Sequence, residues 1–199
     1  MALPFTDTFT DTDEVALATH NAGWTVDTGA IVIRSNTARG NASGASYARW
    51  TTDLPSNDQS AEGVWAGTNS NGSISSAIMT RLSSSQNGYY YWVTGAASRL
   101  YRLNAGSATQ LSAGGSVSNG ATIKLSSEGT THTCLLNGST TGAPSAQVDA
   151  THASGYGGLR LFNVGDSASI DSVTYDNIGG GGGFQVSWAI NSNKLIMSN

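Results

Sequence analysis

The sequence predicts an all-β fold in which two antiparallel sheets pack face to face. Turn signals that contain Gly or Asn recur about every eight to twelve residues, and short segments of alternating apolar and polar residues lie between them. No segment keeps the period of an amphipathic helix. A chain of 199 residues is long enough for one such domain with a buried core.

The elements follow from this pattern in order along the chain. Three Asn-Gly pairs, at 87–88, 119–120 and 137–138, supply the positive φ that tight hairpin turns require. The segment 11–17 is where we expect the single helical turn. The predicted strands cover residues 4–9, 24–27, 30–35, 46–52, 61–67, 74–83, 88–94, 99–104, 122–127, 131–136, 158–164 and 169–175.

Composition excludes several classes of function. Charged residues make up 11% of the chain, yet 5 Trp, 7 Tyr and 4 Phe at a net charge of -4 argue against disorder. The nine basic residues form no patch that would bind nucleic acid. No apolar run reaches the length of a membrane span, and the first residues lack the pattern of a signal peptide. The single cysteine, Cys134, excludes an internal disulfide and is expected to be a buried apolar residue.

The C-terminal segment predicts a role in assembly. Five glycines at 179–183 form a flexible tether, because glycine loses the most entropy when it is ordered. The tail at 184–199 begins with alternating residues that place four apolar side chains on one face of a strand: Phe184, Val186, Trp188 and Ile190. We expect this strand to dock on a neighbouring copy or on another protein. The alternative is a last strand that returns to its own domain at 1–178.

The aromatic block Tyr89-Tyr90-Tyr91-Trp92 is the clearest candidate binding surface. On a strand, Tyr89 and Tyr91 face one way and Tyr90 and Trp92 the other, so one pair should line the core and the other the outer face. Exposed aromatic rings stack on sugars. The alternative is that all these rings are core and sheet filler. Four further residues on neighbouring predicted strands complete the candidate set: Trp65, Arg99, Tyr101 and Arg102.

A series of segments resembles a known family of domains. FTDTFTDTDEVALATHNAGW, AIVIRSNTARG, GYYYWVTGAASRLYRLNAGSATQL, GATIKLSSEGTTHTCLLNGS, DATHASGYGGLRLF and ASIDSVTYDN follow one another as in laminin-G-like, concanavalin A-like jelly rolls. The chain is especially similar to the versions found in virion proteins of tailed bacteriophages, and FQVSWAINSNKLI resembles the tail of many phage structural proteins. The resemblance implies a jelly-roll sandwich with a concave sheet that often binds glycans.

The resemblance also bears on metal binding. Such jelly rolls often carry a structural Ca²⁺, and the carboxylates of Asp7, Asp11, Asp13 and Asp171 are the candidate ligands here. The alternative for the N-terminal acids is a solvated turn in which Asp serves as a helix cap. No other cofactor is expected.

Catalysis is not expected. Glycosidases need two carboxylates that flank the scissile bond, but only three Glu exist, and Glu62 near Trp65 has no evident partner. No serine nucleophile elbow, phosphate-binding loop or zinc motif is present.

These observations predict a structural virion protein of a bacteriophage, made in the host cytoplasm. Its most favoured role is a capsid decoration or cement protein, or a minor tail protein, that is homo-oligomeric and contacts other virion proteins through the tail. The alternative is a carbohydrate-binding adhesion module for host or environmental glycans. A hydrolase with an unrecognised site is the third hypothesis.

Overall fold

The computed structural model describes residues 4–52, 57–67, 75–162 and 168–178. In these residues the chain forms fifteen strands and one short helix. In chain order these are β1 (Phe5–Asp7), α1 (Leu17–His20), β2 (Trp24–Thr28), β3 (Ile31–Arg34), β4 (Thr37–Gly40), β5 (Ala45–Trp50), β6 (Gln59–Gly67), β7 (Ser75–Leu82), β8 (Gly88–Val93), β9 (Ser98–Asn104), β10 (Ser107–Gly114), β11 (Thr122–Glu128), β12 (Thr131–Leu136), β13 (Gln147–Val148), β14 (Tyr156–Phe162) and β15 (Ala168–Asp176).

The strands form two antiparallel sheets, which confirms the predicted fold class. The eight-stranded sheet has the order β13-β12-β11-β6-β15-β4-β3, and β1 also pairs with β15. The seven-stranded sheet has the order β10-β9-β8-β7-β14-β5-β2. Many neighbours in these sheets are distant in sequence, so the fold depends on long-range pairing.

The core lies between the two sheets and is built by alternation along each strand. On β8, Tyr89 and Tyr91 point into it, and on β14 Leu159 and Leu161 do the same. Trp65 on β6 is fully buried in the same cluster. Cys134 is also buried there, as predicted for an apolar core residue. Burial raises the pKa of its thiol, so the thiol stays uncharged.

All twelve predicted strands overlap an observed strand, but β4, β10 and β13 were not predicted. The turn before β4 is Ser35-Asn36 and the turn before β10 is Ala105-Gly106, and both residues of each turn have positive φ. These are two-residue hairpin turns without the Asn-Gly sequence. Of the three Asn-Gly pairs, only 137–138 has positive φ at both residues. The two-residue strand β13 is too short for a recognisable alternation.

The expected helical turn at 11–17 is wrong in position. The helix begins at Leu17 and ends at His20. Glu14 has φ 69°, which a right-handed helix does not allow. Upstream, Asp11 Oδ1 accepts the backbone N–H of Thr12 at 2.7 Å, so this segment is a turn closed by aspartate.

In the part of the chain that the structure describes, no helix has the length and apolar character needed to cross a membrane.

Candidate binding site on the seven-stranded sheet

Strand β8 separates the predicted aromatic block into two faces. Tyr89 and Tyr91 are fully buried in the core, whereas Tyr90 and Trp92 lie on the outer face of the seven-stranded sheet. The structure thus identifies Tyr90 and Trp92 as the pair that faces outward. The prediction that Tyr89, Tyr91 and Trp65 were candidates for an exposed platform is corrected, because all three are 0% exposed.

The outer face carries a depression of about 260 Å³, which we call the aromatic depression. Its floor includes Tyr90, which is only 2% exposed, and its sides include the half-buried rings of Trp92 and Tyr101. Among the described residues, the lining consists of Ser75, Tyr90, Trp92, Tyr101, Ala108, Arg160 and Phe162. These residues come from five of the seven strands, β7, β8, β9, β10 and β14, so the sheet itself holds the rings in place.

The rings of the depression contact one another in defined geometries. Tyr90 and Tyr101 stack with centroids 4.9 Å apart and an interplanar angle of 15°. Trp92 meets Tyr101 edge to face at 6.4 Å and 80°. This follows from the register, in which Tyr90 pairs with Tyr101 across β8 and β9. Burial raises the pKa of Tyr90, so its hydroxyl stays protonated at neutral pH.

Arg160 belongs to the depression and was not predicted. Its guanidinium carbon lies 5.1 Å from the Tyr90 centroid, 5.1 Å from Phe162 and 5.7 Å from Tyr47. Its Nε donates a hydrogen bond to the Tyr47 hydroxyl at 3.1 Å. The signal was present in the sequence, because Leu159 and Leu161 point into the core and Arg160 and Phe162 therefore point outward.

Of the two predicted arginines, only Arg99 joins the site. Its guanidinium lies 4.9 Å from the Trp92 ring centroid, and its Nη1 donates to the Tyr101 hydroxyl at 3.2 Å. Arg102 instead pairs across the strands with Tyr89, on the core side of the sheet. Its Nη1 donates to Asp149 Oδ2 at 2.8 Å, and Arg102 is not among the described residues that line the aromatic depression.

Asp149 is the centre of a structural network at that end of the sandwich. It accepts a hydrogen bond from the Tyr89 hydroxyl at 2.8 Å, while His132 Nε2 donates to its carbonyl oxygen at 3.0 Å. Although burial opposes it, the bonds from Thr151, Tyr89 and Arg102 hold the pKa of Asp149 well below its usual range. Burial in turn raises the pKa of Tyr89 to about 12. These bonds tie the loop that contains Asp149 to strands β8, β9 and β12.

The four calcium candidates do not form one site. Asp7 Oδ1 lies 2.9 Å from His20 Nε2, and Asp11 Oδ2 lies 3.1 Å from His20 Nδ1. Asp13 Oδ1 accepts the backbone N–H of Ser35, and Asp171 is exposed on β15. Within the described ranges, no group of three or more His, Cys, Asp or Glu side chains has the arrangement needed to hold a metal ion. Asp7 is buried and accepts a hydrogen bond from Trp24 Nε1 at 2.8 Å, and helix α1 has no side-chain cap, so the alternative of a helix-capping Asp is not observed either.

Glu62 is remote from the aromatic depression. It lies on β6 in the other sheet and forms an ion pair with Lys124 at 3.4 Å. Trp65 is three residues further along the same strand and points into the core, so sequence proximity did not bring the two side chains to one surface. The tail residues Phe184, Val186, Trp188 and Ile190 lie outside the described residues.

The fold and the outer depression together define a class: this is a concanavalin A-like jelly roll, the sandwich of many lectin and glucanase domains. A solved carbohydrate-binding module, CBM66 from Bacillus subtilis, is similar with a TM-score of 0.61 and 19% identity, over 78% of this chain and 92% of that one. The exoplasmic/lumenal domain of VIP36, solved with Ca²⁺ and Man3GlcNAc bound, has a TM-score of 0.59 and 11% identity over 84% of this chain and 88% of that one.

A β-glucanase from Bacillus licheniformis is similar as well, with a TM-score of 0.59 and 10% identity over 87% of this chain and 98% of that one. No family model matches the chain, and no curated protein sequence matches it significantly. The predicted concanavalin A-like fold is confirmed. At these identities the similarity establishes the fold alone, and this fold serves binding modules and enzymes alike.

Proposed function

We propose that this protein is a carbohydrate-binding domain and that the aromatic depression is its glycan site. The observation that carries the proposal is the placement of Tyr90, Trp92 and Tyr101 around one depression on the outer face of the sheet. The half-buried rings of Trp92 and Tyr101 can present apolar surface to the C–H groups of a sugar, while Tyr90, 2% exposed, supports them from below. A few placed polar groups in a mostly apolar recess are typical of ligand sites.

The comparisons support this proposal over a virion role. Two of the similar structures are described as a carbohydrate-binding module and as a domain with a bound oligosaccharide. None of the structures reported above is a virion protein. The main hypothesis from the sequence, a bacteriophage decoration or tail protein, depends on the resemblance and on the tail, and it remains a prediction that ranks second.

The experiment that tests glycan binding is a glycan array probed with the wild-type chain and two single variants. Trp92→Ala and Tyr101→Ala are each expected to reduce binding by about tenfold or more, since stacked aromatic contacts dominate such sites. The matched control is Val64→Ala, which removes a half-buried side chain from the outer face of the opposite sheet and should leave binding unchanged. Equal binding by all four proteins would contradict the proposal.

The absence of catalysis also remains a prediction. None of the described residues that line the aromatic depression is acidic, whereas glycoside hydrolysis uses two carboxylates on either side of the bond. A β-glucanase is among the similar structures, so the fold itself does not decide the question. We therefore propose binding without cleavage.

We further propose that the segment 184–199 attaches the domain to a partner. The support is the alternation of Phe184, Val186, Trp188 and Ile190 behind five glycines, a pattern suited to strand addition. A chain truncated after residue 178 should stay folded and bind glycans, yet lose its ability to associate with itself or with its partner. Unchanged association of the truncated chain would contradict this role.

A further inference from the structure

We infer that the aromatic depression selects an acidic sugar, whose carboxylate or sulfate group is bound by Arg160 with Arg99 as a second cation at the same site. This inference rests on the proposed glycan-binding function and specifies its ligand class. A carboxylate and a sulfate group each offer a pair of oxygens that a guanidinium can bind with two parallel hydrogen bonds.

Arg160 is held in the depression without a neutralising partner among the described residues. It is half-buried, its Nε is directed to the Tyr47 hydroxyl, and three aromatic rings surround its guanidinium. No carboxylate of the described ranges lies within ion-pair distance of it. A partly desolvated cation fixed by rings loses little conformational entropy when an anion binds, because the side chain is already ordered.

The other arginines of the same sheet show the contrast. Arg49 lies on the same outer face, but its Nε and Nη2 donate to the two carboxylate oxygens of Asp27 at 2.6 and 2.8 Å. Arg102, on the core side of β9, is paired with Asp149. The chain thus supplies a carboxylate to those two arginines and supplies none, within the described residues, to the two at the aromatic depression.

Arg99 extends the positive region along the depression. It contacts Trp92 and Tyr101, two of the lining residues, and shares a cross-strand row with Arg160 in the order Arg99, Trp92, Ala77, Arg160. Three strand spacings of about 4.8 Å separate the two arginines at the backbone, roughly 14 Å. Arg160 therefore meets an anion in the depression itself, and Arg99 meets the next anionic group of the same chain or steers it by charge.

The test compares each acidic oligosaccharide with its own neutral form. The array carries galacturonate, glucuronate and mannuronate oligomers beside their carboxyl-reduced forms, and sulfated oligosaccharides beside their desulfated forms. The wild type should bind at least one acidic form about tenfold or more tightly than the matched neutral form, because a charge-assisted pair is added. The preference for the acidic form should weaken as salt is raised from 50 to 500 mM, because added salt screens the attraction between the arginines and the anionic group. The uronate and sulfate arms distinguish the two sources of the anion.

Two variants assign the effect. Arg160→Gln should abolish the preference for the acidic form over its matched neutral form, whereas Arg160→Lys should retain part of this preference, since charge remains but the planar fork is lost. Lys124→Gln, which removes one positive charge from the opposite sheet, is the control and should change nothing.

Equal affinity for acidic and neutral forms would overturn this inference while the proposed glycan-binding function stands. An acidic preference that survives Arg160→Gln and a double Arg99→Gln/Arg160→Gln variant, both folded by circular dichroism, would also overturn it. Failure to bind any glycan on the array would overturn both proposals together.

Discussion

Arg81 is a buried cation that joins three loops at one end of the sandwich. Its side chain is 1% exposed, and its guanidinium donates to the backbone carbonyl oxygens of Asn57 at 2.7 Å, His152 at 2.9 Å and Gly129 at 2.7 Å. The Oδ1 of Asp58 lies 3.6 Å from Nη2. Replacing Arg81 with Met keeps an unbranched apolar stem and removes the guanidinium with every donor.

The expected loss of stability follows from these contacts. A hydrogen bond with a charged partner contributes roughly 1.5–3 kcal/mol, so three bonds would amount to about 4.5–9 kcal/mol if they were additive. Removing the guanidinium also removes the cost of burying its charge, and water reaches some of the freed carbonyl groups. We therefore expect about 3–5 kcal/mol, the range found when one partner of a buried charge contact is removed.

The assay is thermal and guanidinium unfolding followed by circular dichroism. For a domain of this size, about 1 kcal/mol shifts the melting temperature by roughly 2–4 °C, so Arg81→Met should lower it by about 6–20 °C. Arg34→Met is the control, because Arg34 forms an ion pair at the surface with Glu14 and such pairs contribute about 0–1 kcal/mol. A melting temperature of Arg81→Met within about 2 °C of the wild type would refute the reasoning.

Three further predictions concern single side chains. Although burial opposes it, hydrogen bonds to Asp7 and Asp11 raise the pKa of His20. The stability contributed by charged His20 is therefore fully present below pH 6.5 and is lost as the pH rises past the raised pKa. The melting temperatures of wild type and His20→Asn, measured from pH 5 to 9, should converge at high pH, and a constant difference would contradict this. Tyr91→Ala should lower the free energy of unfolding, measured with denaturant, by about 3–5 kcal/mol. Trp92→Ala should lower it clearly less, and equal losses for the two variants would disprove this. Purified protein should release no reducing ends from polysaccharides. If the wild type does release them and the Glu62→Gln variant does not, the prediction of no catalysis is wrong.

Strand positions were predictable because alternation on a half-buried strand is a local property. The segment 122–127 alternates clearly, and its observed strand β11 has the same alternation of burial. Strand β10 escaped detection because its residues are small and polar and its side chains are mostly exposed at the sheet edge. Its hairpin turn, Ala105-Gly106, takes positive φ at an alanine, which no turn rule based on Asn-Gly pairs would select.

The candidate site was predictable only in part, since alternation groups side chains by face and does not say which face is the core. The sequence placed Tyr90 and Trp92 together, and the pairing of β8 with β7 and β9 then decided that they face outward. Arg160 comes from β14, about seventy residues away along the chain. Its approach to Tyr90 depends on the intervening strand β7, whose pairing with β14 no local pattern reveals.

The two outer faces of the sandwich differ in chemistry, and this difference supports the proposed glycan site. Across the eight-stranded sheet one register row reads Lys124, Glu62, Thr174 and Thr6, in which the first two form an ion pair and the last two share a hydrogen bond at 2.9 Å. Such a row satisfies its own polar groups and is suited to water.

The corresponding row of the seven-stranded sheet reads Tyr101, Tyr90 and Met79 across three strands, and the next row contains Trp92 and Arg160. A solvent-facing sheet needs no aromatic rings for the stability of the core, which already holds Trp65, Tyr89 and Tyr91. Tyr90 is 2% exposed, so the half-buried rings of Trp92 and Tyr101 are the aromatic surfaces on this face that a ligand can reach. The asymmetry between the two faces therefore favours a ligand on the seven-stranded sheet, and the cations placed among its rings favour an anionic one.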